Sequence, residues 1–364
     1  MTPDGAGPAP VNLDEYERLA EAALDAGAFG YFAGGAADEW TLRENLAAYT
    51  RWALRPRMLV DVGGVDPGTT LLGKPVSMPV LVAPTAFLRL AHPDGESGVA
   101  RAAAAAGTIY CLSTLATTTP AAVARAAPDG RRWLQLYCYR DRGITRSLVD
   151  QAAAAGFEAI LLTVDMPYLG RRERDLRSGF GVPAEIEVPS FTAAIGGRRA
   201  ATLADMVELL DPTLTWLDLE ELAGISGLPL VVKGILGGED ARLAVRSGAA
   251  GIVVSNHGGR QLDGVLASLD ALGDVVETVG GEVPVIVDGG VRRGTDVVKA
   301  LALGARAVMV GRPVIWGLAA RGEAGVAAVL ELLGDEVRLA LGLLGCPTPD
   351  DVGPEHVVRV PAAG

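Results

Sequence analysis

The sequence predicts a (β/α)8 barrel, and three observations carry that prediction. From about residue 78 onward, eight short apolar runs recur, each closing on small or polar residues. Each run is followed by a helix-like segment, among them "GESGVARAAAAAG", "TRSLVDQAAAAG", "EDARLAVRSGA" and "GTDVVKALALGA", alanine-rich and usually stopped by glycine. The runs are also continuously apolar rather than alternating, as parallel strands covered on their outer face must be. Eight such units favour closure into a barrel over an open, doubly wound sheet.

The elements follow in order. Residues 1–75 form a polar N-terminal helical segment, in which "LDEYERLAEAALDAG" has helical apolar spacing and a glycine stop. A second short helix is expected over "AADEWTLRENLAAY". Residues 76–345 hold the barrel, with strands expected at 79–86, 108–114, 132–139, 159–165, 228–234, 251–259, 283–290 and 307–312. The gap from 166 to 228 is too long for a plain crossover, so it predicts an excursion over the barrel mouth. Residues 346–364 read as an irregular closing tail of the same single domain.

Composition narrows the function classes. The chain has 364 residues, 49% of them hydrophobic, which supports a large core. A net charge of −12 argues against nucleic acid, which needs a basic surface. No apolar stretch reaches membrane-span length. The start, "MTPDGAGPAPVNLDEYERLA", lacks the basic and apolar regions of a signal peptide. Cys111, Cys138 and Cys346 have no metal-type spacing, and their odd number argues against a disulfide framework. A reducing, cytoplasmic setting without a metal is expected.

In a barrel of this kind, the active site gathers at the C-terminal ends of the strands. Those ends supply Pro84, Thr85 and Ala86, then Ser113, Gln135 and Tyr137, Thr163 and Asp165, Lys233, His257 and Arg260, Asp288, Gly289 and Gly290, and finally Gly311 and Arg312. A lone serine or threonine there is more simply a cap, but capping does not explain the whole set. "DGGVRRG" and "VGR" follow strands seven and eight, where backbone N–H groups and an arginine can hold a phosphate. Lys233 ends a strand in the mouth, so it forms a Schiff base, neutralises an anion or makes a structural ion pair. Beside a phosphate site, bound flavin mononucleotide (FMN) accounts for both features, because a fixed ammonium favours electron uptake by the ring. His257 can take a proton near neutral pH, Arg260 can grip a carboxylate, and Asp165 can support the imidazolium.

"SNHGGRQLD" resembles the signature of the FMN-dependent α-hydroxy acid oxidases and dehydrogenases. The resemblance runs from about Tyr16 to Gly345 and includes "AGGAADEWTLREN", "RPRMLVDV", "APTAFLRLAHPDGE", "QLYCYRDR", "LTVDMPYLGRRERDLR", "VVKGI" and "VDGGVRRGTDVVKALALGA". It implies that Tyr31 and Tyr137 contact the substrate's hydroxyl and carboxylate, and that Arg172 and Arg260 bind the carboxylate. His257 is then the base and Asp165 its partner. Pro84, Thr85, Ala86, Ser113, Gln135, Thr163, Lys233 and Ser255 resemble flavin contacts. Asp288, Gly289, Gly290, Arg292, Gly311 and Arg312 resemble ribityl and phosphate contacts. The implied reaction turns a 2-hydroxy acid into a 2-oxo acid, by a hydride or a carbanion route.

Departures from the family pattern bear on substrate and acceptor. Leu115 stands where glycolate-oxidising members carry a tryptophan, leaving room for an aryl group that Tyr168 and Phe87 could line. Mandelate or 4-hydroxymandelate is therefore expected over lactate or glycolate. The loop after strand four, "FTAAIGGRRAATLADM", has no extended apolar insertion for a membrane, no fused haem domain is expected before residue 1, and Ala86 resembles the oxidases. O2 is thus the expected acceptor, with H2O2 as product. The resemblance also implies a homotetramer.

Overall fold

The computed structural model describes residues 9–197 and 203–361. Eight parallel strands close a barrel: Val80–Val82, Ile109–Leu112, Arg131–Leu136, Ala159–Thr163, Leu230–Ile235, Gly251–Val254, Val285–Asp288 and Ala307–Val310. The last pairs with the first, Val310 beside Val82. All eight lie inside or overlap the apolar runs of the sequence. Long helices stand outside them, including Gly95–Ala105, Arg142–Ala154, Ser268–Val279 and Gly294–Ala302.

Side chains alternate between the barrel interior and the helix layer. Leu81, Cys111, Trp133, Leu161, Val231, Val253, Ile286 and Met309 fill the interior. The antiparallel hairpin Thr69–Leu71 and Lys74–Val76 adds Leu71 and Val76 to this same cluster. Burying a Leu or Val side chain contributes about 1.5–3 kcal/mol, so this interior is a packed plug rather than a pore.

Two features differ from the sequence expectation. The N-terminal segment holds three helices, not two: Leu13–Ala23, Ala26–Ala33 and Trp40–Thr50. The unexpected one, "AGAFGYFA", is apolar nearly all round because it is covered on most sides, which erases the amphipathic signal. Its start is fixed by Asp25, whose carboxylate accepts the N–H groups of Gly27 and Ala28. The tail is also more regular than expected. Val357–Arg359 forms a strand against Trp52–Leu54, and buried His356 lies 3.4 Å by Nε2 from Cys346 Sγ.

The 166–228 excursion contains the helices Glu173–Ser178, Pro189–Ala194, Leu203–Glu208 and Trp216–Ser226. Residues 198–202 of "FTAAIGGRRAATLADM", and residues 1–8 of the N-terminal stretch read for a signal peptide, lie outside the described residues. Among the described residues, no helix is long and apolar enough to cross a membrane.

Candidate active site

The strand register builds the floor of the site. Two residues beyond each member of the interior plug come Ala83, Ser113, Gln135, Thr163, Lys233, Ser255, Asp288 and Gly311. One step of the pleat thus converts an apolar layer into a mostly polar one. Above it opens a cavity of about 1090 Å³, mouth included.

Gln135 ties neighbouring strand ends together. Its carbonyl oxygen accepts the Thr114 N–H at 3.1 Å, and its Nε2 donates to Thr163 Oγ1 at 3.2 Å. Lys233 donates from Nζ to Ser255 Oγ at 2.9 Å and lies 3.3 Å from Asp288 Oδ2. Burial pulls its ammonium down, but Asp288 and Asp165 outweigh that and hold its pKa above the ordinary lysine value. Lys233 is therefore a fixed cation in an ion pair, not a Schiff-base amine. Gly234 follows it at φ +113°, and a Cβ there would meet the Asp165 side chain at 2.7 Å. An isolated glycine inside a strand run is the sequence signal for such close approach.

His257 sits at φ +58°, in the left-handed region. Its Nδ1 is 2.8 Å from Asp165 Oδ1, leaving Nε2 as the nitrogen not engaged by the carboxylate. Its side chain keeps 19% exposure and lines the cavity. Burial lowers its pKa, opposed by Asp165 and reinforced by Lys233 and Arg172. Burial would raise the Asp165 carboxyl, but His257 and Lys233 outweigh it, so Asp165 stays ionised. Among the described residues, the Oδ2 of Asp165 has no hydrogen-bond partner.

Arg260 stacks its guanidinium on the Tyr31 ring at 4.9 Å and donates from Nη1 to the carbonyls of Tyr31 and Gly34. Burial, then the neighbouring charge of Arg172, brings its pKa down to about 10. Arg172 is buried, and its Nε has no hydrogen-bond partner among the described residues. Among the described residues, neither arginine has a carboxylate within ion-pair distance. Burial, then the charge of Asp165, pushes the Tyr137 phenol upward, so it remains a hydroxyl donor.

At the other end of the cavity, Gly289 and Gly290 take φ +91° and +85°. A Cβ at Gly290 would lie 1.9 Å from the Asn45 carbonyl oxygen, so packing on the N-terminal segment also demands glycine there. Arg292 and Arg312 line this end. Arg312 donates to the carbonyls of Phe32, Gly258 and Gly34, and burial lowers its pKa to about 9. Among the described residues, the side chain of Arg292 bonds to the carbonyl of Val291 alone.

Nearly every residue singled out in the sequence converges here. Tyr31, Pro84, Thr85, Ala86, Ser113, Leu115, Gln135, Tyr137, Thr163, Arg172, Lys233, His257, Arg260, Asp288, Gly289, Gly290, Arg292, Gly311 and Arg312 all line the one cavity. Asp165 and Ser255 stand behind it, supporting His257 and Lys233. Tyr168 does not reach it: its side chain is 75% exposed, and Gln261 holds its carbonyl. Phe87, fully buried at φ +58°, packs 6.0 Å from the Tyr31 ring instead. The expected aromatic lining is replaced by Met166, Leu169 and Leu203 beside Leu115. No periodicity marks these loop residues, so nothing in their spacing sets them apart from Tyr168.

These groups fit FMN. Arg292 and Arg312, with the two-glycine turn, suit its phosphate. The buried Asp288 Oδ1, which has no hydrogen-bond partner among the described residues, suits a sugar hydroxyl. Lys233 and the polar strand ends suit the ring. A family model described as FMN-dependent dehydrogenase matches residues 20–359. Glycolate oxidase 1 of Zea mays is 51% identical over 353 residues, covering 96% of this chain and 95% of that protein. L-lactate oxidase of Nostoc sp. is 50% identical over 352 residues, covering 94% and 96%. A crystal structure of mandelate oxidase aligns at a TM-score of 0.90 with 44% identity, covering 96% of this chain and 98% of that one. The cofactor is FMN, the chemistry is oxidation of a 2-hydroxy acid, and the chain belongs to the FMN-dependent dehydrogenase family.

Proposed function

We propose that this enzyme oxidises a 2-hydroxy acid with an aromatic side chain, mandelate or 4-hydroxymandelate, to the 2-oxo acid while O2 becomes H2O2. The observation that carries the reading is the pair Arg172 and Arg260, two cavity-lining guanidiniums with no carboxylate within ion-pair distance among the described residues. A substrate carboxylate would supply it, and charge-assisted bonds would orient the substrate. His257 faces the same cavity, so its Nε2 takes the proton lost from the substrate. Asp165, fixed on Nδ1, stabilises the imidazolium that results. The hydroxyls of Tyr31 and Tyr137 complete the grip on the substrate's polar end. When bound, FMN would supply the redox chemistry, as the acceptor for the electron pair leaving the α-carbon and the donor to O2.

The side-chain end of the pocket is apolar, lined by Leu115, Met166, Leu169 and Leu203. A structure of a mandelate oxidase variant with (S)-mandelic acid, 43% identical at TM-score 0.90, supports an aryl group there. Two observations favour lactate instead: Tyr168 is absent from the lining, and the Nostoc L-lactate oxidase is 50% identical. Anaerobic titration with mandelate, 4-hydroxymandelate, lactate and glycolate, followed at the flavin absorbance, separates these readings. Fastest bleaching by the two aryl acids, and one H2O2 per turnover in air, is the expected result. Preference for lactate would replace the aryl reading. His257→Asn should bind FMN but lose reduction by substrate, and normal reduction would remove His257 as the base. A homotetramer belongs to the same reading and is checked by sedimentation of the FMN-loaded protein.

A further inference from the structure

Asn45 lies on the helix Trp40–Thr50, outside the barrel, yet it is only 2% exposed. Its Nδ2 donates to Asn256 Oδ1 at 2.8 Å, and Asn256 Nδ2 donates back to Asn45 Oδ1 at 2.8 Å. The same Asn45 Oδ1 accepts the Ser268 N–H at 3.2 Å. Asn256 immediately precedes His257 and uses its remaining capacity on the Gly259 N–H and the Leu266 carbonyl. The amide orientation of the pair is thus fixed by its surroundings. Asn45 also presses on the opposite wall of the site. A Cβ added at Gly290 would lie 1.9 Å from the Asn45 backbone carbonyl oxygen, and a Cβ added at Gly289 would lie 3.2 Å from Asn45 Nδ2.

We propose that Asn45 is a positioning residue that sets the distance between the His257 loop and the Gly289–Gly290 turn. A residue far along the chain from both loops touches each of them, through its side chain on one side and its backbone on the other. Further contacts hold the same interface in register. The Ala36 N–H donates to the Gly259 carbonyl at 2.8 Å, and Asp263 accepts the first N–H groups of the helix, those of Trp40 and Thr41. The proton acceptor and the turn assigned to the cofactor phosphate are therefore referenced to one side chain. A shift of about 1 Å in such a constellation can cost about 10²-fold in rate.

The proposal rests on His257 being the base, and the test keeps the two apart. FMN-loaded Asn45→Ala, Asn45→Ser and Asn45→Asp are compared with wild type and His257→Asn for FMN retention, KM and the anaerobic rate of flavin reduction. Asn45→Ala is expected to retain FMN and to lose reduction rate by about 10²-fold, with KM changed far less. Asn45→Asp has a sharper signature. As a carboxylate it faces the Asn256 carbonyl oxygen, acceptor against acceptor. Once protonated, it donates in place of the lost Nδ2–H. Its reduction rate should therefore recover as pH falls, through an ionisation absent from wild type. Unchanged reduction rates in loaded Asn45→Ala and Asn45→Ser overturn the proposal, as does a loss explained entirely by FMN content. If no Asn45 variant folds with FMN, Asn45 is a folding residue and the proposal is equally overturned. Normal reduction in His257→Asn instead refutes the base.

Discussion

His257 combines two properties that rarely meet in one residue: a left-handed backbone and a histidine pKa lowered by burial. The first costs a non-glycine residue about 1–2 kcal/mol, which the surrounding bonds must offset. The Ser255 hydroxyl accepts the His257 N–H at 3.0 Å and is one such bond. The second sets the pH response. A lowered pKa keeps the imidazole neutral, and able to accept a proton, below the ordinary histidine range. The acid limb of kcat/KM should therefore fall below that range in a stopped-flow or steady-state pH series. Asp165→Asn removes the charge that raises this pKa and stabilises the imidazolium. It should lower the reduction rate by about 10²-fold while moving the acid limb further down. Substrate choice belongs to another residue. Leu115→Trp fills the apolar end and should cut kcat/KM for mandelate by at least about 10-fold, sparing glycolate. A panel of both acids checks it.

The loops after the first two strands depend on one buried carboxylate. Glu96, 1% exposed on the helix Gly95–Ala105, accepts the N–H groups of Leu88 and Thr117 and the Thr117 hydroxyl. Those loops carry the stretches around Ala86 and Leu115, joined by the Phe87 N–H to the Leu115 carbonyl at 3.1 Å. Glu96→Ala strands three donors in the interior, so it should destabilise by about 2–4 kcal/mol. Thermal unfolding reads this as a clear drop in Tm. Elements of this kind explain what was legible in the sequence. The eight strands were, because a buried parallel strand is a continuous apolar run whatever surrounds it. So were Lys233, His257 and Asp288, because polar residues ending such runs have few other reasons to be there. Helix Ala26–Ala33 was not, since a helix covered on most sides has no polar stripe. Glu96 and Asn45 were hidden for a different reason: their partners are distant in sequence, and no spacing rule links them.

At the scale of the molecule, charge is distributed against its overall sign. The chain carries −12 in total, yet Arg172, Lys233, Arg260, Arg292 and Arg312 line one cavity. Asp288 lines it too, and Asp165 stands behind His257. Like charges so close, and partly desolvated, oppose folding until anions arrive. FMN should therefore stabilise the protein strongly, by about 2.7 kcal/mol at one hundred times its dissociation constant. Differential scanning of apoprotein with and without FMN checks this. Inorganic phosphate should give a smaller rise in Tm, and sodium chloride at equal ionic strength less still.

The floor of the site and its ceiling are specified by different parts of the chain, and this matters for how the protein can change. The floor is one pleat step above the barrel plug, so inserting a single residue in any strand would turn its contribution outward. The ceiling, with Leu115, Met166, Leu169 and Leu203, sits beyond the strand ends and owes nothing to that register. Mutation can therefore explore new substrates loop by loop while the redox chemistry stays locked, and a change of substrate need not pass through an inactive ancestor.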